Sequence, residues 1–196
     1  MPTTVLAISA TPRLKGNSDI LADRILDGCR EAGAAVTKIR LRDLSLHPCI
    51  GCDACQGAVL DPCVIQDDVH GVLTAIRKTD AIVFASPIYF ATINAQMKML
   101  LDRMYALFGG GDFSVLDGKR VALAFTYADH DPINAGVMNA FRTYQDACRL
   151  LGMPLIGCVH AACLEAGAIR EDPERLAQAA ALGKALVSHC VSASTC

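Results

Sequence analysis

Short apolar runs rich in β-branched residues alternate with helix-patterned stretches along the chain, and that alternation constrains the fold most. VLAIS (5–9), residues 35–41, AIVFAS (81–86), VALAFT (121–126) and PLIGCVH (154–160) read as strands. Between them, helices are expected from Asn17 or Ser18 to about Ala32, over 68–78, over 94–108, over 134–151, and after the Asp172–Pro173 cap. Strands apolar on both faces and separated by helices imply a parallel sheet covered on both sides. The expectation is a three-layer, doubly wound α/β domain with a five-stranded parallel sheet, spanning 1–196. Residues 43–66 break the pattern. They are too few for a domain and too many for an ordinary connection, which marks them as functional.

Composition removes several function classes. The formal charge is −2, so net charge alone does not grip nucleic acid or anionic membrane. Trp is absent and aromatics are 5%, which argues against stacking on single-stranded nucleic acid. No apolar run reaches the ~18 residues that cross a bilayer. The first residues show no secretion signal. Ten cysteines in such a chain then read as reduced thiols of a cytoplasmic protein rather than a disulfide framework.

In a doubly wound sheet, ligands bind beyond the carboxyl ends of the strands at the switch point. Leaving the first strand, Ser9-Ala10-Thr11-Pro12-Arg13-Leu14-Lys15-Gly16-Asn17-Ser18 offers hydroxyls, an arginine and free backbone N–H groups at a helix start. Such a terminus suits a phosphate dianion. The loop is neither a Walker loop nor a GxGxxG fingerprint, and its hydroxyls suit a terminal monophosphate. After the third strand, Ser86-Pro87-Ile88-Tyr89-Phe90 puts apolar and aromatic surface at the same sheet edge. Pro87 is expected to end the strand. A flat aromatic cofactor would use this surface; covering the core is the alternative.

These segments, SATPRLKGNSDILADRILDG, DDV and AIVFASPIYFATINAQMKMLLDR, together resemble the NAD(P)H-dependent FMN reductase branch of the flavodoxin-like superfamily. The resemblance covers nearly the whole chain, most strongly 5–105. It implies a flavodoxin-like fold and an FMN phosphate site at Ser9, Thr11, Arg13, Asn17 and Ser18, with Pro12 in the same loop. It implies an isoalloxazine cradle at Pro87, Ile88, Tyr89 and Phe90. Thr126 stands where the family often begins a glycine pair; here the stretch reads Thr126-Tyr127-Ala128-Asp129. Flavin carries its own redox chemistry, so no side-chain acid, base or nucleophile is expected. NAD(P)H as electron donor rests on the resemblance alone.

The segment 43–66 holds Cys49, Cys52, Cys55 and Cys63, spaced C-x2-C-x2-C-x7-C. Three thiolates at three-residue steps with a more remote fourth are typical of an iron–sulfur cubane loop. The run resembles that of the archaeal-type iron–sulfur flavoproteins, which implies a 4Fe–4S cluster. Empty thiols and a structural zinc are the alternatives. Two functions follow. One is an NAD(P)H-dependent reductase of free flavin, quinone or another small redox substrate. The other is an electron-transfer protein served by a ferredoxin-like donor. The apolar stripe of 94–108, with Met97, Met104, Tyr105 and Phe108 near its edges, further suggests a homodimer or homotetramer.

Overall fold

The computed structural model describes residues 1–57, 63–108 and 114–188. Five strands, β1 (Thr4–Ser9), β2 (Ala35–Arg40), β3 (Ala81–Tyr89), β5 (Arg120–Tyr127) and β6 (Leu155–Ala162), pair in parallel in the order β2-β1-β3-β5-β6. The two-residue β4 (Thr92–Ile93) folds back antiparallel on the end of β3. The order reverses at β1, so the crevice between the carboxyl ends of β1 and β3 is the switch point. The fold is the expected flavodoxin-like one.

Side chains alternate across the sheet, and each face has its own core. Leu6 and Ile8 of β1 pack with Phe84, Leu123 and Phe125 under α2 (Val69–Lys78), α3 (Ala95–Arg103) and α5 (Val137–Leu150). Val5 and Ala7 pack with Val83, Ala122 and Ala124 under α1 (Asn17–Glu31) and α6 (Pro173–Ser188). This second layer is thin because α1 and α6 touch backbone to backbone. A Cβ on Gly28 would lie 2.0 Å from the Ala180 carbonyl oxygen, and one on Gly183 2.0 Å from that of Ile25.

Three details differ from the sequence expectation. Pro87 does not end β3, which runs to Tyr89. The Ala85 carbonyl accepts from Ala10 N–H on the β1 side, so the alternation turns the missing N–H of Pro87 to that side too, where β1 has already left the sheet. The helix begun at Ala95 tightens into a 3-10 turn at Met104–Leu107. The stretch 134–151 splits into α4 (Pro132–Ala135) and α5 at Gly136, whose φ is 86°. Met97, Met104 and Phe108 are buried in the chain's own core, and only Tyr105 of the expected stripe is exposed. That stripe therefore supplies no argument for a partner subunit. Pro62, Gly109–Gly111, His189, Cys190 and Cys196 lie outside the described residues.

Candidate functional site

A cleft of about 520 Å³ opens at the switch point. One wall is the loop after β1, with Thr11, Arg13, Gly16 and Asn17. The other is the end of β3, with Pro87, Ile88 and Tyr89, continued by Thr126 and Tyr127 at the end of β5, by Ala128 just beyond it, and by Cys163 and Leu164 after β6. Loops from four strands thus face one space, each delivered there by the parallel direction of the sheet.

The first wall is built for a compact anion. Gly16 is the N-cap of α1, and no side chain closes that end. A Cβ on Gly16 would meet Thr11 Oγ1 at 2.3 Å, so only glycine lets the loop curl this tightly. The hydroxyl of Ser18, in the first turn, is buried with no hydrogen-bond partner, an acceptor and donor waiting for one. Arg13 reaches the Leu164 carbonyl at 3.3 Å and is otherwise exposed at the mouth. Ser9 is buried near the Asp19 carboxylate, and its hydroxyl, like that of Ser18, has no hydrogen-bond partner. Burial pushes the Asp19 carboxyl up, but Ser9, Lys38 and Arg40 outweigh it and hold it below the ordinary range. Pro12 is exposed beside the cleft without lining it.

Asn17 does not cap the helix. Its amide donates to the Glu165 carbonyl at 2.7 Å and accepts from the N–H groups of Gly167 and Ile169 at 2.8 and 3.3 Å. It is a clip that holds the loop after β6 against the loop after β1. Asn94 does the same for the other wall. Its amide donates to the Ala10 carbonyl at 2.6 Å, its oxygen caps α3 at Met97 N–H, and its backbone N–H donates to Ser86 Oγ. Sequence reasoning missed Asn94; its place at a helix start after a strand was the available signal.

On the second wall, Ile88 is buried and Tyr89 is 41% exposed, giving an apolar surface with one aromatic ring. Phe90 is 106% exposed and does not line the cleft. It sits with Ala91 at the β3–β4 hairpin tip, where φ is 51° and 68°. That left-handed turn is braced by Asn139, which donates to the Ala91 carbonyl at 3.1 Å. Tyr127, also missed from sequence, is hydrogen-bonded through its hydroxyl to His160 Nδ1 at 3.1 Å. Burial raises the Tyr127 phenol and lowers the His160 imidazole, so both are neutral at pH 7. A neutral pair forms a polar but uncharged edge to the cleft.

The cysteine segment leaves β2 at the same sheet edge. Both its ends are tied to α3 by one buried ion pair. Arg103, 1% exposed, grips Asp67 with both terminal nitrogens, at 2.9 and 3.1 Å, and donates to the carbonyls of His47 and Ile65. Asp67 accepts in turn from the N–H groups of His47 and Val69. The thiol of Cys63 is buried beside the guanidinium, while Cys49 and Cys52 are exposed and Cys55 is half-buried. All four are free thiols. Among the described residues no three metal-ligating side chains gather into a site. The donor set matches an iron–sulfur cluster in kind, but its sulfurs are not assembled in this conformation.

Residues 3–161 match the family model described as NADPH-dependent FMN reductase. The chain is 40% identical over 99 residues to an iron–sulfur flavoprotein of Methanocaldococcus jannaschii, covering 50% of each. It is 31% identical to one of Archaeoglobus fulgidus, covering 63% of this chain and 54% of that one. The matched region thus spans about half the length of these relatives. In fold it resembles an NAD(P)H:quinone oxidoreductase from Methanothermobacter marburgensis, with TM-score 0.74, 16% identity, and 97% and 100% of the two chains covered. It also resembles the Trp repressor binding protein of Bacillus subtilis, with TM-score 0.69, 22% identity, and 92% and 98% covered.

Proposed function

The chain belongs to the NADPH-dependent FMN reductase family, and we propose that it is an FMN-dependent oxidoreductase acting on a small-molecule redox substrate. The observation that carries this is the single cleft in which a tight phosphate loop and an apolar ring wall meet at the switch point. The N–H groups at the start of α1, the Ser18 hydroxyl and Arg13 would hold the phosphate. Pro87, Ile88 and Tyr89 would seat the ring system and keep water from its face, and Thr126 and Tyr127 would border it. FMN, when bound, supplies the electron chemistry. The protein's own work is to bind, orient and shield it, with no side-chain acid, base or nucleophile. We place the protein in the cytoplasm, because all eight cysteines among the described residues are free. No described helix is long and apolar enough to cross a membrane.

Replacing Arg13 with Ala is expected to weaken FMN about tenfold or more, the cost of one charge-assisted hydrogen bond, and to leave riboflavin unchanged. Fluorescence titration of both ligands measures it. Equal loss for the two would remove the phosphate from this loop. Rapid anaerobic bleaching of the flavin by NADPH or NADH would identify the donor; bleaching only by a reduced ferredoxin would point to the protein donor instead.

A second reading is favoured by the four free thiols and by relatives named iron–sulfur flavoproteins. Cys49, Cys52, Cys55 and Cys63 would hold a 4Fe–4S cluster once the exposed thiols close toward buried Cys63, in a homo-oligomer that brings the segment near a flavin. Anaerobic reconstitution should load about four irons per chain in wild type and none in Cys52→Ala, with FMN retained by both. Uptake of zinc alone, or of no metal, would leave the reductase reading and remove the cluster.

A further inference from the structure

We propose that a cationic cleft behind the phosphate loop is a second nucleotide site, taking the phosphate-bearing part of an ADP-like moiety. The proposal rests on reading residues 9–18 as a phosphate loop. The cleft measures about 720 Å³ and shares Thr11 and Arg13 with the first, so the two spaces adjoin at the same turn. Five cations line it: Arg13, Lys15, Arg40, Arg42 and Arg170. They belong to three separate parts of the chain, brought together by the β1–β2 pairing and by the Asn17 clip on the loop after β6.

The carboxylates in the cleft offset part of this charge through Arg40 and Arg42, and leave Arg13, Lys15 and Arg170 in excess. Asp19 is held by Lys38 at 3.1 Å and by Arg40 Nε at 3.2 Å, and Asp43 by Arg42 Nε at 3.2 Å. Asp23 is paired with Lys38. Each of these two arginines commits Nε to a carboxylate, which fixes its plane and leaves its terminal amino groups for an oxyanion. Lys15 adds a further sign of a built site: its φ of 57° is a left-handed conformation that loops ordinarily give to Gly or Asn. Exposed Leu14 and half-buried Ile20 supply an apolar surface against which a base can lie.

The chemistry of such a site is that of a nucleotide diphosphate. Two sources present it. One is a flavin whose own phosphate continues through the loop into an adenylate. The other is a separate nucleotide, such as the adenylyl half of a pyridine dinucleotide. Calorimetric titration separates them. FMN-loaded protein is titrated with ADP and with adenosine, and apoprotein with FMN and with FAD, in wild type and in the Arg42→Gln/Arg170→Gln double variant.

Wild type is expected to bind ADP at least about tenfold more tightly than adenosine with FMN in place, or FAD more tightly than FMN as apoprotein. The double variant should lose that difference while keeping its FMN affinity, which also shows that it is folded. Preference for FAD supports the continuous source, and ADP binding beside FMN supports the separate one. If wild type binds FMN but shows neither preference, or if the double variant keeps the preference, this site is overturned and the phosphate loop stands. If the apoprotein binds neither FMN nor FAD, both readings fall together.

Discussion

Arg103→Met is expected to lower stability by about 3–5 kcal/mol, the usual cost of breaking a buried ion pair from one side. Met fills much of the same volume, so the loss is electrostatic rather than a cavity. It strands the Asp67 carboxylate, whose side chain is 1% exposed, and leaves the His47 carbonyl without its donor, while the Ile65 carbonyl keeps His70 Nε2 at 2.7 Å. Urea unfolding at pH 7 measures it. The deficit has a pH signature. Burial raises the Asp67 carboxyl, but the Arg103 guanidinium and the N–H groups of His47 and Val69 outweigh it, so its pKa in the folded chain lies below the ordinary value. A depressed carboxyl stabilises the fold above the unfolded pKa, about 4, and loses that contribution as pH falls through the folded value. The difference between wild type and variant should therefore be widest near neutrality and shrink in acid. A deficit that is small, or equal at pH 7 and in acid, would show that the pair does not hold the segment.

The contact between α1 and α6 gives the second large effect. Gly183→Ala places a methyl group 2.0 Å from a backbone carbonyl that cannot rotate away, and Gly28→Ala does the same from the other helix. Each should cost about 3 kcal/mol, the upper range for overpacking, and lower the melting temperature by roughly 6–12 °C. Gly71→Ala is the internal comparison. It lies in α2 with open space where its Cβ would be, so it should raise stability by roughly 0.5–1 kcal/mol through helix propensity alone. Because α1 begins at the phosphate loop and α6 follows the loop clipped by Asn17, both destabilised variants should also bind FMN more weakly.

The amino-acid sequence was sufficient for the architecture. Unbroken apolar strands between amphipathic helices leave few alternatives to a covered parallel sheet, and that sheet sends every strand end to one edge. The two loops that meet there, 9–18 and 86–90, were legible because hydroxyls, an arginine and aromatics stood where a strand ended. The Asp172 cap was legible as well: its carboxylate accepts from Arg175 N–H at 2.9 Å. Local composition carries such information, since caps and turns are satisfied by near neighbours in the chain.

Tertiary structure alone decided which polar groups face the cleft and which face inward. Asn17 looks like a cap and serves as a clip to residues 165–169. Phe90 looks like a ring contact and stands outside at a strained hairpin tip. Tyr127, beside the expected Thr126, joins the wall, and so do Cys163 and Leu164, although nothing near those two in sequence marks them. Arg103 reads as one more helix cation and is the buried tie on which both ends of the cysteine segment close. These assignments depend on partners 20 to 150 positions away. A side chain's periodicity reports the face of its own element, whereas its hydrogen-bond partner is set by how separate elements pack.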